Sequence, residues 1–142
     1  MRIDVLTLFP EMFENVLNCS ILRIAREKAL VQYNLFNIRD YAENKRCVDD
    51  RPYGGGAGMV MKPEPVFNTV ETVEQQAGPC QKKILLTPQG VKFNQQIARE
   101  LSRESYLMFI CGHYEGVDER IRVGLDVFEL SIGYYIMSGG EI

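Results

Sequence analysis

Residues 106–116 read YLMFICGHYEG, an apolar segment that runs directly into a glycine-bearing loop. The segment 106–110 lacks the alternation of a half-exposed strand, and such a continuous apolar run predicts a strand buried on both faces. The loop 111–116 then leads into a helix that holds Asp118, Arg120, Ile121 and Leu125. Because a buried strand, a loop and a helix form the repeating unit of parallel sheets, this stretch predicts an α/β fold.

The rest of the chain alternates in the same way. Further strands are predicted at residues 2–8, 31–38, 84–87 and 127–132, and the third of these is expected to stop at Pro88-Gln89-Gly90. Helices are predicted from Pro10, from Ser20, after Pro65 and at residues 94–103, whereas residues 39–62 have no period and are predicted to be a long loop. This order predicts an open, mostly parallel sheet with helices on both faces.

Composition limits the classes of function. The chain has 142 residues and a net charge of −3, which predicts one globular domain and excludes a binder that relies on a basic overall surface. Its four cysteines include no closely spaced pair and His113 is the single histidine, so no metal site is predicted. No stretch approaches the roughly 20 apolar residues of a membrane span. We therefore expect a reduced, cytoplasmic protein with no membrane partner.

Three predicted strands end in loops that contain glycine or proline. These loops are residues 87–90, 111–116 and 131–133. Any one of them is explained by ordinary turn chemistry. Ligands of open α/β sheets, however, bind outside the carboxyl ends of the strands, so three loops meeting there favour a ligand site.

Residues 54–58, Gly-Gly-Gly-Ala-Gly, form the densest glycine cluster, and it matches neither a P-loop nor a dinucleotide fingerprint. It is either a mobile loop or a place where backbone amides approach a flat or anionic ligand, and the charged residues that precede it favour the second interpretation. His113 has no nucleophile partner, so we assign it a hydrogen-bonding role. Glu115, inside the loop 111–116, is the carboxylate of interest.

Taken together, these motifs resemble one family. They are LFPEMF at residues 8–13, DDRPYGGG at 49–56, TPQG at 87–90, CGHYEGVDER at 111–120, and SIG at 131–133 with SGGE at 138–141. The resemblance is to the bacterial tRNA (guanine-N1)-methyltransferases of the SPOUT class, which act at position 37 beside the anticodon, and it runs in order along the whole chain.

The resemblance implies a SPOUT domain over residues 1–142 whose C-terminal segment forms a trefoil knot, and a homodimer with each active site at the interface. It implies S-adenosylmethionine as cofactor, tRNA as substrate, and leaves magnesium dependence open. By motif position the cofactor-binding residues are Pro88, Gly112, Glu115, Ile132, Gly133, Tyr134, Tyr135, Ile136, Met137, Gly139 and Gly140. The substrate-binding residues are Asp50, Arg51, Gly55, Gly56 and Gly58.

The resemblance also implies an Asp as general base and an Arg as partner of guanine O6, both beyond Ile142, with Glu115 in a supporting role. Family members are longer and carry a C-terminal tRNA-binding domain, so the chain is expected to be truncated and inactive by itself. Tyr134 stands where the family usually has Asp, which leaves only a backbone contact at that position. Two alternatives remain open: a non-catalytic cofactor-binding or dimerisation module, and a knotted methyltransferase with another RNA target such as a ribose hydroxyl.

Overall fold

The computed structural model describes residues 1–52 and 54–142. Its strands are β1 (Arg2–Thr7), β2 (Gln32–Asn37), β3 (Asp49–Asp50), β4 (Val60–Met61), β5 (Lys82–Lys92), β6 (Tyr106–Cys111) and β7 (Phe128–Ser131). Its α-helices are α1 (Glu11–Leu17), α2 (Ser20–Glu27), α3 (Pro63–Ala77), α4 (Gln95–Leu101) and α5 (Glu119–Leu125). A five-stranded sheet has the order β2-β1-β6-β5-β7, and all its pairings are parallel.

Both faces of the sheet carry helices. On one face Leu85, Met108 and Ile110 pack in a large apolar cluster with α3 and α5, which contribute among others Val70 and Ile121. On the other face a smaller cluster joins Ile84, Leu107 and Leu130 to Leu101 of α4. Because successive side chains of a strand point to opposite faces, the continuous apolar run of β6 supplies both clusters. The predicted fold class is confirmed.

A buried carboxylate lies among the three strands at the β1 side of the sheet. Asp4 is fully buried and accepts hydrogen bonds from Arg2 Nε at 2.9 Å, Asn34 Nδ2 at 2.6 Å and the Tyr106 hydroxyl at 2.7 Å. Its pairing with these donors offsets the cost of burying a charge. The cluster fixes the register of β1 against both β2 and β6.

The prediction of a structureless loop at residues 39–62 is wrong in part. A 3-10 turn occupies Ile38–Tyr41, and β3 pairs with β4 in a short antiparallel ribbon. Val48 and Met61 anchor this ribbon in the larger apolar cluster, where both side chains are buried. Single buried residues separated by many exposed ones leave no period in the sequence, so the pattern did not reveal them.

The predicted end of the third strand, β5, at residue 87 is also wrong, because β5 runs through Pro88 and Gly90 to Lys92. Its pairing with β7 shifts register between Leu86 and Val91, so residues 87–90 form a bulge. A bulge tolerates Pro, which cannot donate to the ladder, and Gly, where a neighbouring backbone approaches closely. At Gly90 the backbone of Glu129 and Leu130 occupies the space that a Cβ atom would need.

Within the residues described, none of the helices has the length and apolar character that crossing a membrane requires.

Candidate functional site

A cavity of about 580 Å³ opens at the carboxyl ends of β5, β6 and β7. Its rim consists of residues from the β5 bulge, the loop 112–116 and the C-terminal segment 135–142. Part of it continues along the sheet face that carries Leu107 and Phe109, beside α4. Its size is within the range of about 300–1,000 Å³ that is usual for small-molecule and cofactor sites. The cavity therefore lies where the sequence predicts a ligand site.

Glycine backbone joins the two main loops of the cavity. Gly140 N donates to Gly112 O at 2.8 Å, and His113 pairs with Gly139 in an antiparallel bridge. A Cβ atom on Gly140 would lie 3.0 Å from Cys111 Cα. Glycine at this position lets the C-terminal segment lie directly on the end of β6.

Most of the predicted cofactor-binding residues surround this cavity. The residues that line it are Pro88, Gly112, Glu115, Ile132, Tyr135, Ile136, Met137, Gly139 and Gly140. Gly133 and Tyr134 do not line it. Gly133 is buried, where its carbonyl accepts a hydrogen bond from Ser131 Oγ at 3.0 Å. Cofactor binding by all of these residues stays a prediction.

The segment after β7 leaves large apolar and aromatic side chains in solvent. Tyr134 is 90% exposed and Ile136 is 86% exposed. Lys92 Nζ lies over the Tyr134 ring, 4.1 Å from its centroid. Exposed apolar side chains grouped at the rim of a cavity are typical of a surface that meets another molecule.

Glu115 lies where the glycine cluster meets the loop 112–116. Its amide donates to Met59 O at 3.0 Å, and Met61 N donates to Gly116 O at 3.0 Å. The Glu115 side chain occupies the space that a Cβ atom on Gly58 would need. Gly58 also has a φ of 84°, so glycine suits it on both grounds. The structure thus brings Gly58 beside a predicted cofactor-binding residue of the same chain.

The other predicted substrate-binding residues lie further away. Asp50 and Arg51 line a second cavity of about 920 Å³, between the β3–β4 ribbon and the start of α3. The Arg51 amide donates to Asp50 Oδ1 at 2.8 Å. Gly55 and Gly56 line neither of the two cavities, and Gly55 N donates to Pro52 O at 3.1 Å. Substrate binding by this set stays a prediction.

Asp118 joins the loop 112–116 to α5. It is the N-cap of α5, where its side chain accepts from Arg120 N at 2.9 Å and pairs with the Arg120 guanidinium at 2.8 and 2.9 Å. The hydrogen bonds from Arg120 lower the pKa of Asp118 below its ordinary value. Asp118 thus caps the start of α5, where a carboxylate also complements the helix dipole.

Glu141 is a site residue that the sequence analysis missed. Its side chain is 1% exposed and lines the cavity, and Oε1 accepts from Thr7 Oγ1 at 2.8 Å. Burial, reinforced by the Glu141 carboxylate, raises the pKa of the neighbouring Cys111 thiol above its usual range. The signal in the sequence was its place in the motif SGGE at residues 138–141, which carries the resemblance but gave Glu141 no role.

The comparison with family models decides the family. The model described as tRNA (Guanine-1)-methyltransferase TrmD matches residues 1–142. The chain belongs to this family. The match covers every loop of the cavity, so the family assignment and the cavity concern the same residues.

Relatives of this family are similar along the whole chain. The tRNA (guanine-N(1)-)-methyltransferase of Bacillus licheniformis is 57% identical over 100% of the chain and 59% of its own length. That of Staphylococcus carnosus is 54% identical over 100% of the chain and 58% of its own length. The chain therefore spans less than two thirds of the length of these curated relatives.

A solved structure of the family has the same fold. The crystal structure of the tRNA (m1G37) methyltransferase from Aquifex aeolicus matches with a TM-score of 0.91 and 40% identity, over 99% of this chain and 63% of that one. This agreement supports the SPOUT-class α/β architecture expected from the resemblance.

Proposed function

We propose that this chain is the cofactor-binding domain of an enzyme that transfers a methyl group from S-adenosylmethionine to N1 of guanine 37 in tRNA, next to the anticodon. The observation that carries the proposal is the cavity at the carboxyl ends of β5, β6 and β7. Its loops match a family of tRNA (guanine-1)-methyltransferases from end to end. The names of the relatives describe the methylated base, and the cofactor is part of our proposal.

The residues around the cavity fit this cofactor. Leu86, Pro88 and Ile132 offer apolar surface for a nucleoside base. The glycine-rich stretches 112–116 and 139–140 expose backbone amides and carbonyls for its polar edges. S-adenosylmethionine would supply an activated methyl group there. The residues of this chain bind it, orient it and keep water from it, and such positioning is worth up to about 7–11 kcal/mol of a reaction barrier.

Guanine N1 carries a proton, so methyl transfer needs a base and a donor for the charge that develops on O6. The resemblance assigns these roles to an Asp and an Arg in the part of the family that follows residue 142. Glu115 supports them from the junction of the glycine cluster and the loop 112–116. We therefore expect a polypeptide of residues 1–142 to bind the cofactor without methylating tRNA.

We further propose a trefoil knot at the C-terminal segment and a cytoplasmic homodimer that holds each active site at its interface. Supporting this, Tyr134 and Ile136 are exposed beside the cavity, where a second copy would cover them. In that arrangement Asp50 and Arg51 contact tRNA from the partner's side.

Isothermal titration of S-adenosylmethionine into the chain tests the cofactor. We expect binding, and we expect Gly140→Ala to weaken it at least tenfold because the new Cβ pushes the C-terminal segment off the end of β6. Gln76→Ala is the control, since Gln76 is exposed on α3 and does not line the cavity. Repeating the titration with and without magnesium tests the dependence left open. Failure of the unaltered chain to bind would overturn the proposal.

Light scattering after gel filtration tests the dimer. We expect twice the chain mass of 16.2 kDa, and a monomer for Ile136→Glu, which would bury a charge in the interface. Val123→Glu is the control, because Val123 is also largely exposed, at 77%, but lies on α5. A monomer for the unaltered chain, or a dimer that Ile136→Glu leaves intact, would count against an interface at this segment.

A further inference from the structure

A buried carboxylate lies under the segment that closes the cavity. Glu141 Oε1 accepts from Thr7 Oγ1 at 2.8 Å, and Thr7 is fully buried as the last residue of β1. Thr7 Oγ1 in turn accepts from Phe9 N at 3.0 Å. The hydroxyl proton of Thr7 is therefore directed at the carboxylate, and the C-terminal segment is tied to a strand more than a hundred residues earlier.

The second oxygen of the same carboxylate faces the loop 112–116. Glu141 Oε2 lies 3.5 Å from His113 Nδ1. That nitrogen is buried and, among the described residues, has no hydrogen-bond partner. The imidazole is held by Phe9 and Tyr114, whose ring centroids each lie 5.0 Å from its own. A small approach of the ring would turn this contact into a hydrogen bond from Nδ1–H to the carboxylate, strengthened by charge.

Glycine keeps this contact open. A Cβ atom on Gly139 would fall between Glu141 Oε2 and His113 Nδ1, so no larger residue fits there. The hydrogen bond from Gly140 N to Gly112 O lies directly beside it. Side-chain and backbone contacts thus join the same two segments, and both segments line the cavity.

We propose that Glu141 is a positioning residue of the cofactor site, which holds the segment 138–142 against the end of β1 and against His113 and so sets the shape of the cavity. The inference rests on the proposed function for the identity of the ligand. Its geometric part concerns only the contacts between Thr7, His113 and Glu141. Glu141 touches neither reacting atom in this role.

Two measurements without cofactor test the geometry. In Glu141→Gln we expect the Gly140 amide, whose bond to Gly112 depends on the held segment, to exchange its hydrogen at least tenfold faster. We also expect the ring signals of His113 to move in the NMR spectrum, and His113 is the only histidine, so its signals are unambiguous. Glu71→Gln, an identical change at an exposed position on α3, should alter neither.

Thr7 provides an independent pair of variants. Thr7→Val removes the donor to Glu141 and should also speed exchange at Gly140, whereas Thr7→Ser keeps the hydroxyl and should preserve the unaltered rate. Rescue by serine separates the hydrogen bond from general packing. If Glu141→Gln fails to fold, the Thr7 pair still decides the question, and an unchanged exchange rate at Gly140 in Thr7→Val would overturn the inference.

Cofactor binding completes the test. We expect Glu141→Gln to bind S-adenosylmethionine at least tenfold more weakly while its melting temperature changes no more than that of Glu71→Gln. Unchanged exchange at Gly140 and unchanged His113 signals in folded Glu141→Gln would overturn the inference. If the unaltered chain binds no S-adenosylmethionine, the proposed function fails, whereas the exchange and ring signals still report whether Glu141 holds the two segments.

Discussion

At the scale of single residues, Asp4 shows how a buried charge can fix the register of a sheet. It lies in β1, accepts from Asn34 of β2 and from Tyr106 of β6, and is paired with Arg2. A slip of either neighbouring strand by one residue would turn these donors to the other face. The carboxylate thus makes one register of three strands more favourable than its alternatives.

We expect Asp4→Asn to destabilise the fold by about 2–3 kcal/mol, because its amide hydrogens would face donors and leave them unsatisfied. Urea unfolding followed by circular dichroism measures this change. Asp40→Asn is the control, since Asp40 is exposed and pairs only with Lys45 among the described contacts. Equal midpoints for the two variants would mean that the buried cluster contributes little.

The same scale explains which site residues the sequence could reveal. Gly112, Gly139 and Gly140 could be named from the sequence because they lie in motifs that resemble the family. The structure adds a physical reason at Gly140, where a Cβ atom would lie 3.0 Å from Cys111 Cα. The role of Glu141 could not be predicted from the sequence, because it depends on contacts with Thr7 and His113, which are distant in sequence. The sequence alone does not show whether the side chain of a given Glu is buried or exposed. Only the fold supplies its partners.

At the scale of elements, the bulge in β5 carries one wall of the cavity. The strand pairs with β7 on both sides of residues 87–90, so the bulge is held at its two ends. This lets Thr87 and Pro88 project into the cavity without ending the strand. The end of β5 was predicted wrongly from the sequence, because Pro88 and Gly90 were interpreted as a turn. Pro and Gly occur in turns and in bulges alike, so the sequence pattern does not distinguish the two.

We expect Gly90→Ala to destabilise the chain by about 1–3 kcal/mol through overpacking, because its Cβ would meet the backbone of β7. It should also weaken S-adenosylmethionine binding, since β7 leads directly to Ile132. Gln89→Ala, an exposed neighbour in the same bulge, is the control. Full stability of Gly90→Ala would mean that the two backbones can separate at little cost.

At the scale of the whole molecule, burial makes stability depend on alkaline pH. Burial raises the pKa of Cys80 from 9.0 to about 11, and it also raises the pKa values of Tyr106 and Cys111 above their usual ranges. These groups keep their protons in the folded chain at pH values where the unfolded chain has lost them. The unfolded state then binds fewer protons, and stability falls as pH rises.

We expect the free energy of unfolding to be flat just below about pH 9 and to fall steadily between pH 9 and about 11. Urea unfolding across this range measures the slope. Cys80→Ala should make the slope shallower, whereas Cys19→Ala, which removes an exposed thiol, should leave it unchanged. If Cys80→Ala leaves the pH dependence of the unfolding free energy unchanged, the effect comes from Tyr106 and Cys111.

The order of the sheet also has a consequence for synthesis on the ribosome. Arg2 pairs with Gln32 on one side and with Tyr106 on the other. While the chain is being made, β1 and β2 can meet early, but the second edge of β1 stays open until most of the domain has been translated. An apolar edge in that state invites pairing with another nascent chain. Co-translational folding of this domain without aggregation therefore depends on how quickly residues 106–111 are translated. It also depends on chaperones that cover the open edge of β1 until then.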